Sequence, residues 1–212
     1  MSHNSITNES ETFEIGETTV HRLGFGAMRL CGENIIGAPD DEAAAREVVE
    51  HAVNCGVDFI DTADSYGPAV SERLIGEAIG DPDDVVVATK AGLLRNDAGD
   101  WIPHGDPDYI RNQVLTSLDR LRTDTIDLYQ FHKPDDDTPF EDSIAAFAEL
   151  KDDGFVDELG VSNVSAELLD RAREQVEIAT VQNRYNLHDR GSREVLEICA
   201  DEGIGFIPWA PI

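Results

Sequence analysis

From about Leu23 to its end the chain keeps one beat, in which short apolar runs alternate with amphipathic stretches. LGFGAM reads as a strand and DDEAAAREVVEHAVNCG as a helix closed by Gly56. VDFID, VVVATK, IDLYQFH, DELGVS, ATVQN and GFIPWA read as further strands. Between them SERLIGEAIG, PDYIRNQVLTSLDRL, PFEDSIAAFAELKDDG, SAELLDRAREQ and SREVLEICADEG carry helical periodicity. Such alternation joins parallel strands through right-handed helical crossovers. Runs like VVVATK are apolar without alternation, as strands covered on both faces are.

The expected fold is therefore α/β, a (β/α)₈ TIM barrel of about seven strands whose last β/α unit is missing. TFEI and TTVHR, on either side of Gly16-Glu17, predict an N-terminal β-hairpin. The expected organisation is a flexible tail over 1–11 and one barrel domain over 12–212. An open doubly wound sheet is the competitor, and it needs a glycine fingerprint opening its first helix. The nearest match, Gly24-Phe25-Gly26, lies within the first strand and has no third glycine at the required spacing.

In a barrel of parallel strands the working face is at the strands' C-terminal ends. Strand two ends in Asp61, followed by Thr-Ala-Asp-Ser-Tyr-Gly with Tyr66. Strand three ends in Lys90 and strand four in His132. Strand five runs into Ser162-Asn163, strand six ends in Gln182-Asn183 and strand seven in Trp209. Singly, each has a bland explanation: a cap, a solvent-seeking lysine, a locally satisfied histidine. A polar group at strand end after strand end is what a reaction centre requires.

Carbonyl reduction needs a hydride donor and an acid for the developing alkoxide. Tyrosine can be that acid, and its free pKa is ~10. Lowering it by two to three units takes ~3–4 kcal/mol. One ammonium at ~4 Å supplies ~4 kcal/mol at an effective dielectric of ~20. Lys90 beside Tyr66 is thus expected to bring the phenol down, with Asp61 as the counter-charge that keeps Lys90 protonated. His132 can hydrogen-bond and orient the substrate oxygen. Asp64 is read as a cap or loop anchor. Trp101 and His104 are substrate-side candidates in the long loop from Ala91 to Asp106.

GVDFIDTADSYG, VVVATKAG, IDLYQFHKP, LGVSNVS, VQNRYNLHDR and GFIPWAP resemble the aldo-keto reductases in order and spacing. LGFGAMRL and WIPHGDP are similar to a branch of that family that includes pyridoxal reductases. The resemblance implies NADPH, with NADH as the alternative, lying across the strand ends. It implies a catalytic tetrad of Asp61, Tyr66, Lys90 and His132 with Tyr66 as general acid. It implies that Ser162, Asn163 and Gln182 hold the nicotinamide carboxamide, that Trp209 stacks on the ring, and that Gly26 and Met28 line the cofactor. The family continues with an eighth strand and a loop that grips the cofactor's 2′-phosphate, whereas this chain stops at Pro211-Ile212. Open barrel edges are then expected, with self-association through them. The expected function is NAD(P)H-dependent reduction of a small-molecule aldehyde or ketone. The alternatives are a nicotinamide-nucleotide-binding or regulatory module without turnover, or an inactive fragment.

Composition narrows the partners. The 44 acidic residues against 16 Lys and Arg give a net charge of −28, and they are dispersed rather than massed in one tail. Binding to nucleic acid or anionic membrane needs clustered Lys and Arg, so neither is an expected partner. No apolar run approaches the ~20 residues that span a bilayer, and the polar N-terminus lacks a signal pattern, so a cytoplasmic protein is expected. Cys31, Cys55 and Cys199 form no C-x-x-C pair, and the histidines have no ligand spacing, so neither a disulfide framework nor a metal site is expected. Such a surface repels itself at low salt, while molar salt shortens the Debye length to ~3 Å and removes most of that penalty. A salt-rich host cytosol follows as an expectation. Thermal melts in rising KCl are expected to show Tm climbing up to molar salt, and a flat series would overturn this reading of the charge.

Overall fold

A computed structural model describes residues 11–212. The tail expected over 1–11 lies outside the described residues except for Glu11. The chain opens with an antiparallel hairpin, β1 (Thr12–Ile15) and β2 (Thr18–His21), turning at Gly16 with φ of 57°. Then come β3 (Phe25–Gly26), α1 (Glu42–Asn54), β4 (Phe59–Asp61), α2 (Val70–Ala78) and β5 (Val86–Ala91). A second hairpin, β6 (Leu93–Arg95) and β7 (Trp101–Pro103), precedes α3 (Pro107–Leu121) and β8 (Ile126–Phe131). The chain closes with α4 (Phe140–Asp152), β9 (Val156–Ser162), α5 (Ala166–Arg173), β10 (Thr180–Arg184), α6 (Arg193–Glu202) and β11 (Gly205–Trp209).

Local chemistry sets the helix boundaries. Asp41, Asp106 and Ser165 each accept a bond from a backbone N–H of the first turn of α1, α3 and α5. Pro107 opens α3, where its missing N–H costs nothing. Gly203 closes α6 at φ 74°.

Seven strands form one parallel sheet in the order β11-β10-β9-β8-β5-β4-β3. It is the curled sheet of an incomplete (β/α)₈ barrel, with β3 and β11 as its edges. The helices cover its outer face, where Ile110, Val114, Ile144, Phe147 and Leu169 bury Tyr129, Phe131, Leu159 and Val181. The first hairpin plugs the N-terminal mouth: Ile15 and Val20 pack on Phe59, Val86, Ala88 and Leu128. His21 holds it there, its Nδ1 at 2.6 Å from Asp58 Oδ2 and its backbone N–H bonded to the same carboxylate. Inside the sheet Gly160 faces a crowded row. A Cβ there would sit 2.3 Å from Thr180 Oγ1 and 2.9 Å from Gln130 Cγ, so only glycine lets β8, β9 and β10 keep their register. Between β3 and β11 runs a cleft of about 700 Å³, from the hairpin to Asp61, Gln182 and Trp209.

Two stretches differ from the sequence reading. LGFGAM is strand only at Phe25–Gly26; Ala27–Leu30 form a 3₁₀ turn, because Ala27 and Leu30 are drawn into the core against α2 and Ser71 Oγ donates to the Ala27 carbonyl. The long segment after β5 contains the β6–β7 hairpin, its turn made by Asn96 to Gly99 with Arg95 bonded to the Gly99 carbonyl. No described helix is long and apolar enough to cross a membrane.

The N-terminal strand ends carry a cost. Asp127, the second residue of β8, is half-buried and is pushed up to about 6, first by burial and then by Asp81 and Asp157, while the Val87 N–H opposes the shift. A carboxyl raised on folding stabilises the protein below its unfolded value, and that contribution is lost as pH rises through the folded one. Asp127→Asn keeps an acceptor for Val87. It is expected to add about 2 kcal/mol at pH 7 and nothing below pH 4, read from denaturant melts at both pH values.

Candidate active site

Three strand ends bring the expected tetrad together. β4 presents Asp61, and the loop behind it folds Tyr66 back over the sheet. β5 presents Lys90, which is wholly buried, and β8 runs into His132. The register places Asp61 opposite Ala88 and Lys90 opposite Gln130, so the side chains converge across three adjacent strands.

Lys90 is the hub. Its Nζ donates to Asp61 Oδ1 at 2.7 Å, to the Thr62 carbonyl at 2.7 Å and to Tyr66 Oη at 3.4 Å. An ammonium has three protons, and each has an acceptor. Burial works to discharge Lys90, but the Asp61 charge and the bonds to Asp61 and Tyr66 outweigh it, and its pKa lies above that of free lysine. The second oxygen of Asp61 accepts from Gln182 Nε2 at 2.8 Å and from Gln130 Nε2 at 3.2 Å. The carboxylate is thus fixed from β8 and β10 at once.

Tyr66 departs from the sequence expectation. Its hydroxyl is pushed above the ordinary phenol value, not below it. Burial is the largest cause; Lys90 pulls down as expected, but Asp61 and Asp64 push up. Desolvation of the phenolate outweighs the pull of the one ammonium. Tyr66 is consequently a protonated phenol at neutral pH. His132 is held well below its usual value by burial and by the Lys90 charge, and is neutral. A neutral imidazole keeps one donor and one acceptor, and its Nδ1 lies 3.4 Å from Ser65 Oγ.

An aromatic wall closes the group. The Tyr66 ring meets His132 edge-on at 5.9 Å and Trp101 at 6.1 Å, and Trp101 stands 6.5 Å from His132. Trp101 belongs to β7 and is held by Arg95, whose guanidinium stacks 3.6 Å above it and is anchored on the Asn34, Ile35 and Gly99 carbonyls. Of the two loop candidates, Trp101 reaches the site. His104 packs instead on Tyr109, with ring centres 4.9 Å apart.

The residues expected to meet a nicotinamide lie on the next strand ends. Ser162 Oγ donates to the Gln182 carbonyl at 2.7 Å, and Asn163 Nδ2 donates to the His132 carbonyl at 3.0 Å. Asn163 adopts φ of 59°, a conformation asparagine tolerates better than most residues. Trp209 donates from Nε1 to Asn163 Oδ1 at 3.1 Å and remains 38% exposed. Gly26 is exposed on edge strand β3, and a Cβ there would meet nothing within 4 Å. Met28 sits beyond the strand in the 3₁₀ turn, packed by Cys31, Ala63 and Tyr66. Gly26, Asp61, Gln182 and Trp209 line the cleft between the sheet edges, whereas Tyr66, Lys90 and His132 lie outside its walls. Sequence reasoning passed over Gln130, because a glutamine inside a strand carries no signal until its register opposite Lys90 is known.

Comparison with known proteins bears on the family and the fold. Residues 22–212 match the model of the aldo/keto reductase family. An uncharacterized oxidoreductase of Schizosaccharomyces pombe is 38% identical over 205 residues, covering 97% of this chain and 67% of the relative. Pyridoxine 4-dehydrogenase of Escherichia coli is 35% identical over 211 residues, covering 96% and 73%. The fold is shared with a holo-form aldo-keto reductase of Bacillus halodurans at TM-score 0.80 and 30% identity, covering 94% of this chain and 65% of that one. A glycerol dehydrogenase of Gluconobacter oxydans superimposes at TM-score 0.83 and 33% identity, covering 98% and 63%. This chain spans less than two thirds of the length of those two structures. By the family model, the two relatives and the shared sheet, the chain belongs to the aldo/keto reductase family.

Proposed function

We propose that this chain reduces an aldehyde or ketone to an alcohol with NADPH or NADH, and that Tyr66 supplies the proton. The observation that carries the reading is the buried chain from Asp61 through Lys90 to Tyr66, with neutral His132 beside the Tyr66 ring. A pyridoxine 4-dehydrogenase and a glycerol dehydrogenase among the relatives support alcohol–carbonyl chemistry.

The residues at hand fit a nicotinamide. A carboxamide needs both a donor and an acceptor, and Ser162, Asn163 and Gln182 supply hydroxyl and amide groups within one bonded cluster. Trp209 offers a half-open aromatic face, and Gly26 leaves the opposite wall without a side chain. A cleft of about 700 Å³ is within the usual size of a small-molecule site. In this reading Ser162, Asn163 and Gln182 hold the carboxamide, Trp209 stacks on the ring, and Gly26 and Met28 line the approach. When bound there, a nicotinamide would supply the hydride that the carbonyl carbon receives. Tyr66 Oη gives its proton to the carbonyl oxygen, and the charge left on the phenolate is met by Lys90. His132 donates a hydrogen bond that orients the same oxygen. Trp101 and its stacked Arg95 exclude water from that side.

A second reading, a nucleotide-binding module without turnover, is favoured by one observation: the cleft between the sheet edges omits Tyr66, Lys90 and His132 from its walls. Turnover separates the two. Oxidation of NADPH, and of NADH in parallel, should be followed by absorbance in molar KCl with a carbonyl panel that includes pyridoxal. Tyr66→Phe is expected to lower kcat by about 10²–10⁴-fold while cofactor fluorescence still reports binding. Quenching by cofactor with no turnover on any substrate would establish the second reading. Lys90→Met, which leaves the Asp61 charge unpaired, is expected to cost about 3–5 kcal/mol of stability as well as activity, read from a denaturant melt.

A further inference from the structure

Two residues before Tyr66, the chain buries a carboxyl for which the tetrad has no use. Asp64 is 3% exposed. Its Oδ2 accepts a hydrogen bond from Tyr109 Oη, while Oδ1 is buried with no partner. Its backbone is tied on both sides, the N–H to the Lys90 carbonyl at 3.2 Å and the carbonyl to the Ala69 N–H at 2.7 Å. Tyr109 stands in the first turn of α3, directly behind the β6–β7 hairpin that carries Trp101. One carboxyl therefore joins the loop bearing Tyr66 to the element behind the aromatic wall.

We propose that Asp64 is a positioning residue for Tyr66: its bond to Tyr109 pins the loop that carries the tyrosine, and the charge on its carboxyl is felt at the tyrosine hydroxyl. This rests on the reading of Tyr66 as proton donor. An unpaired oxygen on a buried carboxylate is expensive to keep charged. Burial first, and then the Glu72 carboxylate, push Asp64 up to about 7, against the Tyr109 bond, the Arg120 charge and the nearby Ser65 N–H. The groups around it are Glu72 from α2, Tyr109 and Arg120 from α3, Tyr129 from β8, Lys90 from β5, and Tyr66 on its own loop. Glu72 is answered by Arg120 Nε and Thr89 Oγ1, both at 2.6 Å, and the Tyr129 hydroxyl has no partner. Asp64 thus changes charge in the neutral range. When ionised it pushes Tyr66 further from giving up its proton.

The test is a tyrosine NMR titration of the full chain in molar KCl. The protein is labelled with ¹³C at the ring carbon bearing the hydroxyl, and the Tyr66 signal is assigned by its loss in Tyr66→Phe. Between pH 5.5 and 8.5 the wild-type Tyr66 signal is expected to move with a midpoint near 7. Asp64→Asn, which still offers Tyr109 an acceptor, is expected to abolish that movement. Tyr109→Phe removes the bond that favours the charged carboxyl, and is expected to weaken Asp64 as an acid by about three- to tenfold, moving the midpoint up. A Tyr66 signal that does not move in the wild type, or moves unchanged in Asp64→Asn, would overturn the proposal. If Asp64→Asn does not fold, an unmoved midpoint in Tyr109→Phe overturns it equally. The titration needs neither cofactor nor substrate, so a chain without turnover would count against the catalytic reading alone.

Discussion

A lysine ammonium with no solvent contact has to be answered by acceptors on every side, and the architecture around Lys90 follows from that demand. Leaving one of its protons unmet would cost several kcal/mol. The three acceptors come from one short stretch: Asp61 at the end of β4, the next carbonyl at Thr62, and Tyr66 across the loop. The loop must therefore leave β4, pass over Lys90 and turn back within five residues. Its bonds from Thr62 N–H to the Ala88 carbonyl and from Asp64 N–H to the Lys90 carbonyl hold that path, extending the β4–β5 ladder past the last strand residue.

Asp61 spreads the constraint sideways. With one oxygen on Lys90, the other collects Gln130 from β8 and Gln182 from β10. Gln182 in turn offers its carbonyl to Ser162, and Ser162 accepts from Asn163, which reaches the His132 carbonyl and Trp209. The hydrogen bonds thus run from β4 to β11 along the C-terminal rim of the sheet. The two groups of residues, which the proposed function assigns to cofactor and proton donor, are built on one bonded rim and hold their relative positions without a ligand, the preorganisation that electrostatic catalysis depends on.

Much of this was legible in the sequence, and for one reason: in a parallel sheet covered by helices, strand ends are marked by a change from apolar to polar residues. Asp61, Lys90, His132, Ser162 and Gln182 all sit at such changes, so naming the strands named the rim. Quantities that depend on depth were not legible. Tyr66 was expected to be acidified by Lys90, yet its burial decides the direction. Asp64 read as a loop anchor, which it is, but its unpaired oxygen and near-neutral acidity arise from α2 and α3 closing over it. Trp101 lay in what read as a loop. LLR and WIP around Asn96–Gly99 carry a hairpin pattern, but only the Arg95 stack turns that hairpin toward Tyr66.

The two ends of the sheet spend the chain's acidity in opposite ways. At the C-terminal rim Asp61 has both oxygens bonded and is balanced by the wholly buried cation of Lys90. At the N-terminal end Asp58 is held by His21, while Asp127 has only the Val87 N–H and faces Asp81 and Asp157. Repulsion of that kind among partly open carboxylates falls as the Debye length shrinks from ~10 Å at 0.1 M to ~3 Å at 1 M salt. The interior pair of Asp61 and Lys90, shielded from solvent ions, is screened far less. Salt therefore relieves the surface and the N-terminal end while leaving the rim's charges nearly at full strength. A chain of net charge −28 can in this way gain stability from salt without weakening the site it encloses.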